Sequence, residues 1–355
     1  MGKIFYIPCG LSLFCAYLCH RRWDRLDMLM AIFAGWIFLT DLIQGIIPMC
    51  FSSPSIRIVL GIACFNGLRK TAEGAMIRYM TVVCVSIVFL SFYILVSPLD
   101  SQGRYFGYIG DPNYYALTLN LIVFILFQQI KDSYKCDIWV MLAVLSLTAV
   151  IPFFVAGQSR VGFISLIILL AGGIYTLHRR FRKISYAILF LSISAIICCM
   201  IFTDLPREFA DRYAMKGLNG WAAMSRIYQI ECVIDCIKDS PEIMLWGIGV
   251  DMDELSLPVY GECMRTIVHN TFVNVFFHQG IPGLVIFCLI LFEIAKSVLL
   301  HRTDALAPVF FVTVLLNIMS VASVTYLSFW WSLFYMANRY DRYHDRDKKH
   351  IVDGA

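Results

Sequence analysis

The residues best suited to chemistry in this chain are His269 and five arginines, Arg57, Arg104, Arg160, Arg226 and Arg265. Three of the arginines stand in telling contexts. Arg104 lies in GRYFGYIGDPNYYA, Arg160 in AGQSRVGF between two apolar runs, and Arg226 near the start of SRIYQIECVIDCIKDSPE. An ionisable group at membrane depth is costly and usually faces a cavity or a partner. A guanidinium suits planar, bidentate contact with phosphate, so several of them on one face would hold a diphosphate at a membrane surface. The plainer reading of any one arginine is snorkelling, a helix-end side chain reaching for headgroups. It fits Arg160 least, because that residue is trapped in a very short polar hairpin. His269 sits in RTIVHNTFVNVFFHQGIPG, where a soluble-looking stretch runs into an apolar one. Its plain reading is an interfacial anchor. Its chemical reading is an acid–base group, since an unperturbed imidazole titrates near about pH 6.5.

The elements that must position these residues are membrane helices. Hydrophobic residues make up 59% of the 355, charged residues 15%, and mean hydropathy is +0.73; an average soluble domain carries roughly 25% charged residues. Apolar runs flanked by charge recur at 4–20, 26–49, 54–68, 75–97, 113–130, 138–157, 161–177, 184–203, 281–300, 308–321 and 324–338. Their lengths match a bilayer core, which predicts an all-α polytopic membrane protein of about 11 spans, within a range of roughly 10–12. The first run lacks a small-residue cleavage site and ends in CHRRWDR, so it reads as a span and not as a signal peptide. Loops rich in Lys and Arg at 20–25, 69–70, 131–135, 178–183, 301–302 and 339–349 fall on one side if the spans alternate. The positive-inside rule makes that side cytoplasmic and puts the N-terminus outside. Keeping the basic tail inside requires a break near SVAS (320–323).

We read residues 1–355 as one transmembrane domain whose only sizeable polar segment, 204–268, is a large exterior loop. No internal repeat or low-complexity stretch is apparent. Within the loop, Ile227, Ile230, Ile234 and Ile237 recur at helical spacing, with Ser225 as N-cap and Pro241 as stop. That stripe predicts an amphipathic helix resting on the bundle. WGIGVD (246–251) reads as a Gly-paired turn, either simply tight or shaped for close approach of backbone to a ligand. Cys232 and Cys236, at i, i+4, suit one helix face better than a disulfide, and no CxxC pair suggests zinc. Asp41 and Gln44 are expected to hydrogen-bond across the bundle, Glu293 and Lys296 to pair locally, and His278 to pack or anchor at the interface. The net charge of +4 follows from topology, and without a basic stripe interleaved with aromatics no nucleic-acid partner is expected. GxSxG, HExxH and P-loop motifs are missing.

The order of short motifs is more specific than any one of them. R-x-x-G…D-P-N-x-x-A (104–116), Q-S-R-x-G (158–162), S-R (225–226), G-I-G (247–249), H-N-T-F (269–272) and G-I-P-G (280–283), with one large loop before the histidine, resemble the O-antigen ligase and O-antigen polymerase superfamily. The resemblance covers roughly residues 70 to 300. It implies a GT-C-type membrane glycosyltransferase of the bacterial cytoplasmic (inner) membrane, acting on the exterior face without metal or cofactor. Its donor would be an undecaprenyl-diphosphate-linked oligosaccharide. Arg160 and Arg226 would contact the donor diphosphate, Arg104 would be a third contact, and His269 would act on the acceptor hydroxyl. Asp111, Asn113 and Asn270 would support them as nearby polar groups. Membrane lipid, a flippase and a chain-length regulator are the partners implied. The twelve-span form with both ends inside, expected of the family, differs from the eleven spans read here.

Chemically the resemblance is coherent, because a diphosphate-linked sugar already carries a good leaving group. Paired carboxylates of the glycosidase kind are then unnecessary, and none stands out. Polymerisation of repeat units is favoured over ligase-type transfer of the finished glycan to lipid A core or protein. A flippase or transporter for the same lipid-linked sugar would place substrate groups near the midplane, often within internal repeats. Here the unexplained charges gather at helix ends, which favours an enzyme. A purely structural subunit would depend on none of these residues.

Overall fold

Apolar runs with capped ends set the elements of the computed structural model. It describes residues 24–46, 54–71, 85–86, 88, 111–133, 138–202, 221–250, 268–300, 305–322, 324, 329–330, 332–333 and 336–337. The helices are α1 (Arg25–Ile43), α2 (Pro54–Thr71), α3 (Pro112–Asp132), α4 (Ile138–Gly157), α5 (Arg160–His178), α6 (Arg182–Phe202), α7 (Trp221–Asp239), the single turn α8 (Ile243–Trp246), α9 (Thr271–Leu300) and α10 (Leu306–Ile318). Among the described residues there is no strand. α1, α3, α4, α5 and α9 are long and apolar enough to cross a membrane. This is an all-helical integral membrane protein. Among the described residues, the runs at 26–49, 54–68, 113–130, 138–157, 161–177, 184–203 and 308–321 each overlap a helix over most of their length, the helix of the first ending at Ile43 and that of the last at Ile318. The run at 4–20 lies outside the described residues, as do Arg104 and Arg265, and so does nearly all of 75–97. The chain forms two compact units, one of Met1–Thr71, Trp221–His301 and Ile318–Ala355, the other of Ala72–Gly220 and Arg302–Asn317.

In the first unit α1 begins with a capping box. Asp24 Oδ1 accepts from Asp27 N at 2.9 Å, and Asp27 Oδ2 accepts from Asp24 N at 3.0 Å. α1 packs antiparallel to α9. Arg25 Nε lies 3.1 Å from Glu293 Oε1 at one end of the pair, and Trp36 Nε1 donates to Gln279 O at 2.8 Å nearer the other. The expected local pair of Glu293 with Lys296 is thereby corrected. Glu293 turns inward and meets a guanidinium of the neighbouring helix, while Lys296 lies on the exposed face. α9 starts at Thr271, earlier than the expected span at 281, because a kink at Gly280 (φ 66°) joins a short upper helix to the apolar lower one. The break expected near 320–323 is present. α10 ends at Ile318, residues 319–322 form a turn, and the described residues from 329 to 337 are helical again. Thr271 Oγ1 donates to Val321 O at 2.6 Å, and Trp330 Nε1 to Val324 O at 2.7 Å, satisfying carbonyls that the break exposes.

The kink in α9 is closed by the glycine turn. Pro282 has no N–H, so the carbonyl of His278 loses its helical donor. Gly249 N fills it at 3.0 Å, and Ile248 N fills the carbonyl of Phe277 at 3.0 Å. A Cβ on Gly247 would stand 2.3 Å from His278 O and from Gln279 N, and Gly247 has φ +68°. The turn therefore serves backbone-on-backbone packing within the protein, the tight-turn alternative of the two. Asp41 and Gln44 do bond across the bundle as expected. Val250 N donates to Asp41 Oδ1 at 2.6 Å, and Gln44 Nε2 donates to Gly247 O at 2.5 Å. His278 Nδ1 is 2.7 Å from Gly249 O; a carbonyl only accepts, so Nδ1 carries the proton.

α7 differs from its expected form in two respects. It starts at Trp221, so Ser225 lies inside the helix and is not its N-cap; Pro241 does follow closely on its end at Asp239. Ile227, Ile230 and Ile234 are exposed. The buried face is Gln229, Cys232, Val233 and Cys236; Val233 and Cys236 pack with Ile243, Ile248, Val268 and Phe277, and Ile237 is half-buried beside them. Cys236 behaves there as a small apolar side chain beside Val233. Both cysteines are buried on one helix face and are not joined in a disulfide.

The second unit is built around α3, buried along nearly its whole length. α4 and α5 pack on it, and α6 packs on α4 and α5. Phe124 stacks on Phe310 of α10 with centroids 4.0 Å apart. Asn317 Nδ2 donates to Ser165 Oγ at 2.9 Å, a polar tie between α10 and α5. Small residues bring α5 close to its neighbours, as in membrane bundles generally: a Cβ on Gly173 would fall 2.5 Å from the Phe127 ring and one on Gly172 2.8 Å from Val309. Arg180 Nη1 donates to Lys131 O at 3.2 Å, so two basic loops share one end of this unit. That is the charge asymmetry the positive-inside rule requires.

Candidate functional site

The end of the second unit opposite its basic loops carries Asp111, Asn113 and Arg160. Asp111 is the N-cap of α3; its Oδ1 accepts from Asn113 N at 2.7 Å and Tyr114 N at 3.3 Å, with Pro112 at the first helical position. The DPN motif is thus a helix start. In the hairpin, Gln158 has φ 48°, an uncommon conformation for a residue with a Cβ. Ser159 then caps α5, accepting from Gly162 N at 3.2 Å, and its hydroxyl donates to Asn113 Oδ1 at 3.0 Å. Arg160 is the first residue of α5 and half-buried. A Cβ on Gly162 would stand 2.3 Å from Ala116 Cβ. The last residues of DPNYYA and QSRVG therefore touch, and the two motifs form one corner. The N-termini of α3 and α5 meet there, with Asp111 and Ser159 accepting from their first N–H groups and Arg160 as the first residue of α5. Gly162→Ala is expected to cost about 1–3 kcal/mol by overpacking this contact. Adding Ala116→Gly is expected to restore much of the loss, read as thermal midpoints in detergent.

The first unit brings His269 to the helix of Arg226. His269 N donates to Gln229 Oε1 at 3.0 Å, and Gln229, one turn after Arg226 on α7, is buried. Asn270 is the N-cap of α9, its Oδ1 accepting from Phe272 N at 3.0 Å and Val273 N at 3.2 Å. Thr271 is fixed through Val321, and Phe272 meets Phe287 edge-on at 5.8 Å. His269 is thus the residue just before a capped helix, its backbone tied on both sides and its side chain half-exposed. Such a placement holds the backbone that carries the imidazole in a fixed position. Gln229 and Thr271 were missed in the sequence; the only available signals were a polar residue on the face opposite the isoleucine stripe and a hydroxyl inside HNTF. Gln229→Leu leaves the His269 N–H buried without its acceptor. It is expected to lower turnover about tenfold through misplacement of the imidazole, with protein level in the membrane unchanged on an immunoblot.

Of the expected site residues, Asn113 and Arg160 are joined in one unit through Ser159, and His269, Asn270 and the helix of Arg226 in the other. Asp111 and Asn270 both act as helix caps. Arg104 lies outside the described residues.

This fold and these motifs define an all-helical integral membrane protein in which Arg160 opens a capped helix and His269 precedes another. Residues 142–288 match the family model described as O-Antigen ligase, so the resemblance to the O-antigen ligase and polymerase superfamily holds over that segment. The segment contains Arg160, Arg226, His269 and Asn270, and leaves out Arg104, Asp111 and Asn113. No curated protein matches the chain.

Proposed function

We propose that the protein is a membrane glycosyltransferase that polymerises undecaprenyl-diphosphate-linked oligosaccharide repeat units into a surface polysaccharide, an O-antigen, capsule or exopolysaccharide, on the outer face of the bacterial cytoplasmic membrane. The observation that carries this reading is the O-Antigen ligase match over a segment holding both Arg160 and His269. In the reaction, an acceptor hydroxyl attacks the anomeric carbon of the donor sugar as the bond to the diphosphate oxygen breaks. His269 takes the hydroxyl proton as general base. Arg160 and Arg226 stabilise the charge on the departing diphosphate. Arg104 adds a third contact, and Asn113 holds the Ser159–Arg160 hairpin in place.

The description of the matched family favours a second reading, ligase-type transfer of the completed glycan to lipid A core or protein. A deletion strain separates the two. Single repeat units on the normal surface acceptor support the polymerase; polymer retained on its lipid carrier supports the ligase. A strain with an unchanged polysaccharide ladder contradicts both.

A further inference from the structure

We propose that α8 is a membrane-interface anchor, with Met244, Leu245 and Trp246 seated among the acyl chains at the outer boundary of the bilayer. This goes beyond the transfer reaction and rests only on the protein being membrane-embedded. Three consecutive large apolar side chains in α8 are 40%, 56% and 38% exposed, while Ile243 and Gly247 on either side are buried. A water-facing loop gains nothing from such a turn.

Height along the unit comes from α1. Its 19 residues are about 28 Å long, close to the roughly 30 Å of an apolar bilayer core. Arg25 marks the basic, cytoplasmic end. Trp246 stacks on Trp36 with centroids 5.8 Å apart and planes at 21°, and Trp36 is about 10 Å back from the Ile43 end. The turn after α8 is held by Asp41 and Gln44 at that same end. α8 thus lies in the outermost ~10 Å of the apolar core, among the acyl chains just beneath the headgroups.

The patch is also continuous with the lipid-facing surface of the spans. Leu245 O lies 2.5 Å from where a Gly280 Cβ would be. Ile281, Val285, Leu289 and Phe292 then run exposed down α9. Ile32 and Leu39 lie exposed one turn either side of Trp36 on α1. On the polar side, Glu242 marks the headgroup edge.

The backbone after α8 meets the requirement of an apolar medium, where each polar group needs a protein partner. Gly247 N donates to Ile243 O, Ile248 N to Phe277 O, Gly249 N to His278 O and Val250 N to Asp41 Oδ1. The carbonyls of Gly247 and Gly249 accept from Gln44 and His278. α8 therefore fixes the height of α7, and with it Gln229 and His269, against the membrane surface.

The test places the photoreactive residue p-benzoylphenylalanine at 245 in the full-length protein. The protein is reconstituted in nanodiscs of phosphatidylethanolamine and phosphatidylglycerol, and adducts are mapped by mass spectrometry. Position 285, on the exposed stripe of α9, is the lipid-facing reference, and position 238, on the polar side of α7, the aqueous one. Lipid adducts at 245 and 285, with few at 238, are expected. Adducts at 285 without 245, or cross-links from 245 to protein alone, overturn the anchor; adducts at none of the three overturn the lipid-facing surface on which it rests.

Discussion

Arg160→Ala is expected to reduce glycan transfer by about 10²–10³-fold, the loss typical when one preorganised donor to a developing anion is removed. The protein should accumulate normally, because other residues set the shape of the hairpin. Its shape comes from the positive φ of Gln158, the Ser159 cap and the contact of Gly162 with Ala116. Arg160→Lys separates chemistry from snorkelling. A lysine reaches headgroups as well as an arginine does, so a snorkelling role predicts full activity. A diphosphate contact predicts only partial recovery, since an ammonium cannot reproduce the guanidinium fork. Chain-length distribution on a polysaccharide gel, with an immunoblot for protein level, reads both variants.

Gly247→Ala is expected to be the most damaging single methyl group in the first unit, on the order of 4 kcal/mol. The added carbon would stand 2.3 Å from the carbonyl of His278, against backbone that has no rotamer to give way. The residue also has φ +68°, where a Cβ is strained in any surroundings. Moving the turn away would strip the carbonyls of Phe277 and His278 of the donors that replace those lost at the kink. A large drop in the apparent melting temperature in detergent is expected, with reduced accumulation in the membrane. Gly35→Ala is the control. Nothing lies within 4 Å of its added Cβ, and it sits on the exposed face of α1, so the change should be neutral or stabilising by up to about 1 kcal/mol.

Much of this was legible in the chain because a bilayer imposes length and polarity so strictly. α4 covers 138–157 as expected, and the α3, α5 and α6 boundaries fall within a few residues of the apolar runs. The charge bias of the loops correctly implied that the loop at 131 and the loop at 179–183 share an end, as the Arg180–Lys131 contact shows. Periodicity misled on α7. Isoleucines at helical spacing marked a face correctly but not its burial, because membrane proteins also turn apolar residues outward to lipid. Glu293 misled for a related reason: spacing along one helix says nothing of a guanidinium on the next. The site was legible as motifs and not as roles. DPN and HNTF read as candidate chemistry, whereas Asp111 and Asn270 are spent on capping. Gln229 was invisible because its function is a single long-range hydrogen bond to a backbone N–H.

The proposed reaction is transfer of a glycan from a lipid diphosphate, with Arg160, Arg226 and His269 carrying the chemistry. It is tested most directly by purified protein in liposomes given a polyprenyl-diphosphate-linked repeat unit, with products separated by mass spectrometry. A carrier-linked dimer of repeat units is expected, formed in equal amount with free polyprenyl diphosphate and lost in His269→Ala at unchanged protein level. Equal product from wild type and His269→Ala, or no release of polyprenyl diphosphate, would contradict it.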